Sequence, residues 1–364
     1  MARKEGKAEI QHFVPQLMLR LHATDPASRR GTEQVWCFDK RTDRIFQTNV
    51  KNICAESRFY ESETDERSIN LEEYLAGIED RAGPILTRIV QSRTLSELNN
   101  HDRRTVAEFA AIQLVRTRAS REIVLDVNRW VAARLSERGI DPATVPDFLL
   151  MSEADAKAKS LEMIVGARQY FSPHFADKHW YLIDGHANDP FHLGDHPVVR
   201  QNEFEAYGGM TGIASPGISI YLPLCPTLSL CMLDAHVATE LKTVQTKTKR
   251  ELEKLRKRSV KLSRRLGVIT PIEMIRDTER IERELRVRIR TLLDGGPTAY
   301  DHEVVTRVNA LQMAYATRWV ISSLNDFSLP KAMIADNEGY RHRAPPVGPV
   351  LTPRKSSRER PPPV

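Results

Sequence analysis

The stretch from residue 241 to residue 293 constrains the fold most, because it cannot be packed into a core. It holds 17 Lys/Arg against 7 Asp/Glu, a local charge of +10, and burying unpaired charge is costly. Its recurring apolar residues are Leu241, Leu252, Leu255 and Leu262, then Ile275, Ile281, Leu285, Ile289 and Leu292. That spacing predicts an antiparallel helical hairpin held by a narrow seam. The first helix is expected from Val237 to Gly267. The second starts at "TPIE", where Thr270 as N-cap, Pro271 as first helical residue and Glu273 make a capping box, and it stops at Gly295-Gly296. The expected arm is residues 237–296.

Residues 340–364 add 6 Lys/Arg and one Glu, a further +5. The whole chain carries +6, so arm and tail together leave −9 for the rest. An acidic body with a basic arm points to electrostatic partners: nucleic acid or an acidic protein, engaged through residues 241–293. A solvated helix face is the ordinary role of such a charge run, and no aromatic residues are interleaved for base stacking.

The body reads as globular. Its most apolar run, "ISIYLPLCPTLSLCML" (218–233), is short for a membrane span and carries Pro223 and Pro226, so buried strands are expected and no membrane partner. Cys37, Cys54, Cys225 and Cys231 form no C-x-x-C pair, and "MARKEGKAEIQHF" has no apolar stretch behind its basic residues. A reduced, cytoplasmic setting is expected.

Along the chain, "QVWCFDKRTDRIFQTN" predicts a hairpin. "SINLEEYLAGIEDRAGPILTRIV" has helical spacing, with Gly83-Pro84 expected to kink or restart the helix. "HDRRTVAEFAAIQLVRTRASREIVLDVNRWVAARLSERGID" predicts one long helix, and "EADAKAKSLEMIVGARQYF" another. "KHWYLID", "ISIYLPL" and "TLSLCML" predict strands, with a Gly-rich loop around "EAYGGMTGIASPG". "DHEVVTRVNALQMAYATRWVISSL" predicts a final helix. The fold class is α+β, mainly α: a helical core, a small mixed or antiparallel sheet and the projecting basic hairpin. One domain is expected over 1–335, and a disordered Pro/Arg-rich tail over 336–364.

Seven segments in this order carry a family resemblance: "HFVPQLMLRLHA", "VWCFDKRTDRIFQTNVKNICAESRFY", "LEEYLAGIEDRAGPIL", "AEFAAIQLVRTRASR", "FHLGDHPVV", "IYLPLCP" and "ALQMAYATRWVISS". Together they resemble the domain-of-unknown-function family 4238 over residues 10–325. The resemblance implies no reaction. It singles out His12, Pro15, Gln16, Leu19, Glu79, Gln113, Arg116, Asp195 and Pro197. It also implies an aromatic residue where His22 stands, a small polar one where His196 stands, and a shorter hairpin.

Glu79 borders the apolar face of its helix, so its carboxylate needs a partner, and Arg116 is the expected one. Gln113 and Arg116 lie on one face of their helix and could donate to Glu79 or to a ligand's anionic group. His12 could cap backbone or act as general acid or base. The candidate catalytic residues are therefore His12, Glu79 and Asp195, with Gln16, Arg20, Gln113 and Arg116 for substrate. The bland readings are a buried ion pair for Glu79 and Arg116, packing for His12 and an Asx turn for Asp195. "DGHANDPFHLGDHP" gathers Asp184, His186, Asp189, His192, Asp195 and His196, residue types that hold divalent metals, though without a recognised spacing. No nucleophile elbow, phosphate-binding loop or dinucleotide fingerprint occurs. Two function classes follow. One is an intracellular hydrolase, for instance a nuclease, acting on nucleic acid or a phosphorylated substrate. The other is a non-catalytic module that docks nucleic acid or an acidic protein through the hairpin.

Overall fold

The computed structural model describes residues 10–25, 27–61, 71–145, 152–202, 212–266 and 272–343. It is α+β and mainly helical, with antiparallel sheets against a helical core. A short strand β1 (Ile10–His12) runs through Pro15 into α1 (Gln16–Leu21). The expected hairpin forms as β2 (Gln34–Asp39) and β3 (Arg44–Asn49), and β4 (Ala55–Ser57) then pairs with β1.

Next comes α2 (Leu71–Ser92), which passes through Pro84 without restarting. Gly83 is there for close approach: a Cβ would meet Leu17 Cδ2 of α1 at 3.3 Å. The predicted long helix is two, α3 (Asn100–Val115) and α4 (Arg118–Glu137), broken where Thr117 turns extended at φ −87°, ψ 163°. Periodicity continues across the break, so sequence alone did not show it; the side chains of Arg116 and Thr117 are drawn to partners outside the helix, described below. α5 (Glu153–Tyr170) starts at a Ser152–Asp155 capping box, and the short α6 (Ser172–Ala176) follows.

The three predicted strands appear as β5 (His179–Asp184), β8 (Ile218–Cys225) and β9 (Leu228–Leu233), with β6 (Leu193–Gly194) and β7 (Val199–Asn202) between the first two. One sheet has the order β5-β9-β8-β7. Every residue of β8 and β9 is buried, which is why their sequences are continuously apolar instead of alternating. Pro223 falls at a register shift in β8, where its missing N–H is tolerated. Much of the Gly-rich loop expected around residues 205–217 lies outside the described residues, namely residues 205–211.

The arm follows as α7 (Ala235–Leu266) and α8 (Ile272–Leu293). Ile289 is buried and Leu241, Leu252, Leu285 and Leu292 are half-buried, as a seam requires. Thr270, Pro271 and the side chains of Glu273, Leu255, Leu262, Ile275 and Ile281 lie outside the described residues. Among the described residues the arm packs on the body at its root, where Leu241, Leu292 and Leu293 meet a cluster that includes Tyr181, Ile183 and Tyr221.

The predicted last helix is half helix and half strand. α9 (His302–Tyr315) stops, and β10 (Trp319–Ser322) pairs with β2 and β6, giving the order β3-β2-β10-β6. The cause is Asp195. Its carboxylate accepts from Thr317 N (2.7 Å), Thr317 Oγ1 (2.7 Å), Arg318 N (2.8 Å) and Trp319 N (3.0 Å), pulling those amides out of helical register. Lys40 completes the stop. Its buried ammonium donates to the Met313 and Ala316 carbonyls at 2.8 Å each, groups that a helix end leaves without partners. Burial pulls that amine down to about 7.

α10 (Ser328–Asp336) and a turn of 3-10 helix at Glu338–Arg341 close the described chain. The expected loose tail therefore does not begin at Asp336. Tyr340 is buried, Arg341 pairs with Asp43 at 2.7 Å and Arg343 pairs with Asp126 on α4. Residues 344–364 lie outside the described residues. All four cysteines are free and buried, and among the described residues no helix is long and apolar enough to cross a membrane.

Replacing Asp195 by Ala would strand three backbone amides and a hydroxyl. The expected cost is about 3 kcal/mol or more in urea denaturation. A loss below about 1 kcal/mol would show that β10 holds its place without this carboxylate.

Candidate functional site

The site is built around the break between α3 and α4. Arg116 closes α3, and its side chain is only 4% exposed. Its guanidinium reaches three elements at once. Nη2 donates to His12 O (2.7 Å), Nε to Tyr60 Oη (3.0 Å) and Nη1 to Glu79 Oε1 (2.7 Å). Tyr60 Oη in turn donates to His12 O at 2.9 Å. Gln113, one turn earlier and fully buried, donates from Nε2 to Phe13 O at 3.0 Å. The amide of Gln113 and the guanidinium of Arg116 thus hold the N-terminal strand by its carbonyls.

His12 is half-buried, and its Nε2 lies 3.3 Å from Val50 O. A carbonyl can only accept, so Nε2 carries the proton and Nδ1 is left as the acceptor. Gln16 Nε2 stands 3.5 Å from that Nδ1. Arg20 Nη2 donates to Gln16 Oε1 at 2.6 Å and Arg20 Nε lies 3.2 Å from Glu33 Oε1. Burial lowers the His12 pKa, opposed by the Val50 carbonyl, and Arg116 adds to the lowering. The ring is neutral at pH 7, the state a general base needs.

The structure therefore brings together His12, Gln16, Arg20, Glu79, Gln113 and Arg116. It does not bring Asp195 to them, since both Asp195 oxygens are held by residues 317–319. Glu79 also differs from expectation: its side chain is 27% exposed, so Arg116 and not Glu79 is the buried partner. The acidic and histidine-rich segment disperses. Asp184 pairs with Arg93 (2.6 Å), while Asp189 accepts from Tyr300 Oη (2.8 Å) and pairs with His302 (2.7 Å). Among the described residues no group of three or more His, Cys, Asp or Glu is placed to hold a metal ion.

Two residues at the break had no readable signal. Tyr60 sits in "ESRFYES" without periodicity. Thr117 Oγ1 shares a 2.6 Å hydrogen bond with His196 Nδ1, tying the break to the Asp195 loop.

The family described as "Protein of unknown function (DUF4238)" matches residues 10–326. The chain belongs to this family. The DUF4238 match opens on β1 and closes just before α10, so it takes in the Arg116 cluster and the arm. No curated protein and no solved structure matches the chain.

The two histidines that stand where the family resemblance implies other residues are both buried. His22 lies in the core with Nδ1 2.9 Å from Met18 O, and His196 stacks on Tyr315 with ring centroids 6.1 Å apart. His22 Nε2, His192 Nδ1 and His196 Nε2 have no partner among the described residues. Burial pushes His22 and His192 down to about 4, and burial together with Arg200 and Arg343 pushes His196 down to about 3.

Two outcomes are expected. Arg116→Ala, which leaves Glu79 and two buried acceptors without their donor, costs about 3 kcal/mol or more, whereas Glu79→Ala costs about 1 kcal/mol because water reaches that carboxylate. Equal losses in thermal unfolding would contradict this. The second concerns pH. Unfolded histidines titrate near 6.5, while the folded state keeps these three neutral down to 3–4. Below 6.5 the unfolded chain binds more protons, so stability falls with pH by up to about 1.4 kcal/mol per pH unit per ring. His22→Phe should make the slope between pH 6.5 and 4.5 shallower by about that amount; an unchanged slope would mean His22 does not titrate.

Proposed function

We propose that this DUF4238 protein is a cytoplasmic nucleic-acid-binding protein that engages the phosphate backbone of a duplex with its α7–α8 arm. One observation carries the reading: the +10 charge of residues 241–293 lies on a helical hairpin whose described cations are exposed, attached to a body that is acidic. On α7, Lys247, Arg250, Lys254, Lys257 and Lys261 are all exposed and follow steps of 3, 4, 3 and 4 residues. Such steps stay on one helix face, so the row spans about 21 Å at 1.5 Å per residue. Phosphates along a duplex offer a matching row of charge. No aromatic side chain interrupts the row, which disfavours base stacking and single strands. The acidic body repels the same polyanion and so confines contact to the arm.

The Arg116 cluster supports a catalytic reading less well, because its donors are committed to carbonyls, a tyrosine and a carboxylate of the fold. A hydrolase acting on nucleic acid or a phosphorylated substrate is the second reading. It is favoured by one feature, a neutral half-buried His12 joined through Arg116 to a partly exposed Glu79. His12→Gln with loss of hydrolysis of duplex DNA or RNA would promote it.

Duplex affinity should fall about 100- to 1,000-fold between 50 and 200 mM salt if the five cations each displace a counterion. The triple variant Lys254→Glu, Lys257→Glu, Lys261→Glu should abolish binding without changing the melting temperature. Absence of binding at low salt would sink the reading, and retention on polyglutamate alone would point to an acidic protein instead.

A further inference from the structure

A cavity of about 500 Å³ opens at the root of the arm. Leu95, Arg103, Asp177, Lys178 and Trp180 wall it from the body; Ala238, Thr239, Lys242, Leu293 and Asp294 wall it from the arm. Along α7 the lining residues Ala235, Ala238, Thr239 and Lys242 fall at i, i+3, i+4 and i+7, one face of the helix. The small residues leave the room, and Lys242 stands at its outer edge. Lys249, seven residues further, extends that face along α7, and the cationic row lies about a quarter turn round the helix from it. The cavity thus lies between the body and the base of the arm.

Its walls are chemically mixed in an ordered way. Lys242 is exposed and has no ion-pair partner among the described residues. Arg103 is held rigidly: its guanidinium lies 4.3 Å over the Trp180 ring, Nε donates to Ala176 O (3.1 Å) and Nη2 to Lys178 O (2.5 Å). Nη1 makes no hydrogen bond among the described residues. Lys178 is neutralised by Asp234 at 3.3 Å. Asp177 and Asp294 are exposed. Asp177 acts on the Arg103 guanidinium, and Asp294 Oδ2 accepts from Arg290 Nε at 3.3 Å, which leaves its Oδ1 as an acceptor. Leu95 and Leu293 add apolar wall. A bare anion would meet two carboxylates and gain nothing from the apolar surface. A molecule that joins an anionic group to hydroxyls and a flat apolar ring uses all three kinds of wall. The volume lies within the roughly 300–1,000 Å³ of small-ligand pockets.

We propose that this cavity receives a phosphorylated nucleotide: the phosphate against Lys242 and Arg103, the sugar hydroxyls against Asp177 and Asp294, the base against the apolar wall. The nucleotide could come free or as the phosphorylated end of a strand lying on α7. The strand-end source rests on the nucleic-acid reading of the arm; the free source does not.

The full chain is titrated by calorimetry with a nucleoside monophosphate, the matching nucleoside, and duplexes with and without a 5′-phosphate. The monophosphate binds at one site, the nucleoside does not, and Lys242→Glu weakens binding about tenfold or more, the loss of one charge-assisted contact. Lys331→Glu, an exposed lysine on α10, leaves it unchanged. Preference for the 5′-phosphorylated duplex, lost in Lys242→Glu, assigns the strand end; its absence with monophosphate binding intact assigns the free nucleotide. Binding of neither monophosphate nor phosphorylated end in preference to its unphosphorylated match overturns the proposal, as does equal binding by Lys242→Glu. Duplex binding without any phosphate-end or monophosphate response removes the cavity and leaves the arm, whereas monophosphate binding without duplex binding removes the arm and leaves the cavity.

Discussion

The guanidinium of Arg116 is the interaction on which the rest of the body depends. A buried cation must have acceptors, and this one draws them from three separate pieces of chain: the His12 carbonyl of β1, the Tyr60 hydroxyl beyond β4 and the Glu79 carboxylate of α2. Each acceptor fixes one element against α3. The helix ends at Arg116, the residue that holds all three, and Thr117 becomes extended. The released Thr117 hydroxyl meets His196, whose neighbour Asp195 sets the start of β10. One buried charge and the two residues beside it thereby connect the N-terminal strand, the helical core and the four-stranded sheet that ends with β6.

These breaks were the illegible part of the sequence. Periodicity reports which face of a helix is buried, and it shows no end at "LVRTRAS", where α3 is buried on every side and Ala119 and Ser120 after the break are buried as well. The residue that closes α3 is tied to partners 56, 37 and 104 residues away, invisible to a local reading. The same holds at "YATRWVISS", where apolar spacing fits a helix but a distant carboxylate selects a strand. By contrast, the strands of "ISIYLPL" and "TLSLCML", the hairpin of "QVWCF" and "RIFQT" and both arm helices were legible, because their length and punctuation are local properties. The grouping of His12, Glu79, Gln113 and Arg116 was legible through the family resemblance and through a carboxylate placed at the border of an apolar face.

The histidines illustrate a different limit. His22 and His196 look like added acid–base chemistry when read as letters. In the fold they serve as aromatic rings, one packed in the core and one stacked on Tyr315, and burial keeps them neutral. Titratable residue type therefore says little until burial is known: the half-buried His12 remains available to a ligand, whereas the fully buried pair does not.

Opposite charge on arm and body raises a physical problem, since a +10 arm should be drawn down onto a −9 remainder. The fold resists this at the arm's root. Leu182 N donates to Gly295 O (3.2 Å), Thr298 N to Leu182 O (2.9 Å) and Asp184 N to Thr298 O (3.1 Å), stitching the chain after α8 along β5. Gly295 and Gly296 make the turn possible with φ of +89° and +44°, and a Cβ at Gly296 would stand 2.9 Å from Thr298 N. On the other side α7 leaves β9 after only Asp234, with Asp234 capping its first turn and holding Lys178. A helical hairpin fixed at both strands cannot swing without breaking these bonds, whereas long-range attraction between exposed charges is screened over about 10 Å at 0.1 M salt. Short-range geometry therefore outweighs the net attraction, and the cationic face of α7 stays presented to solvent, with the cavity held open between the two clamped ends.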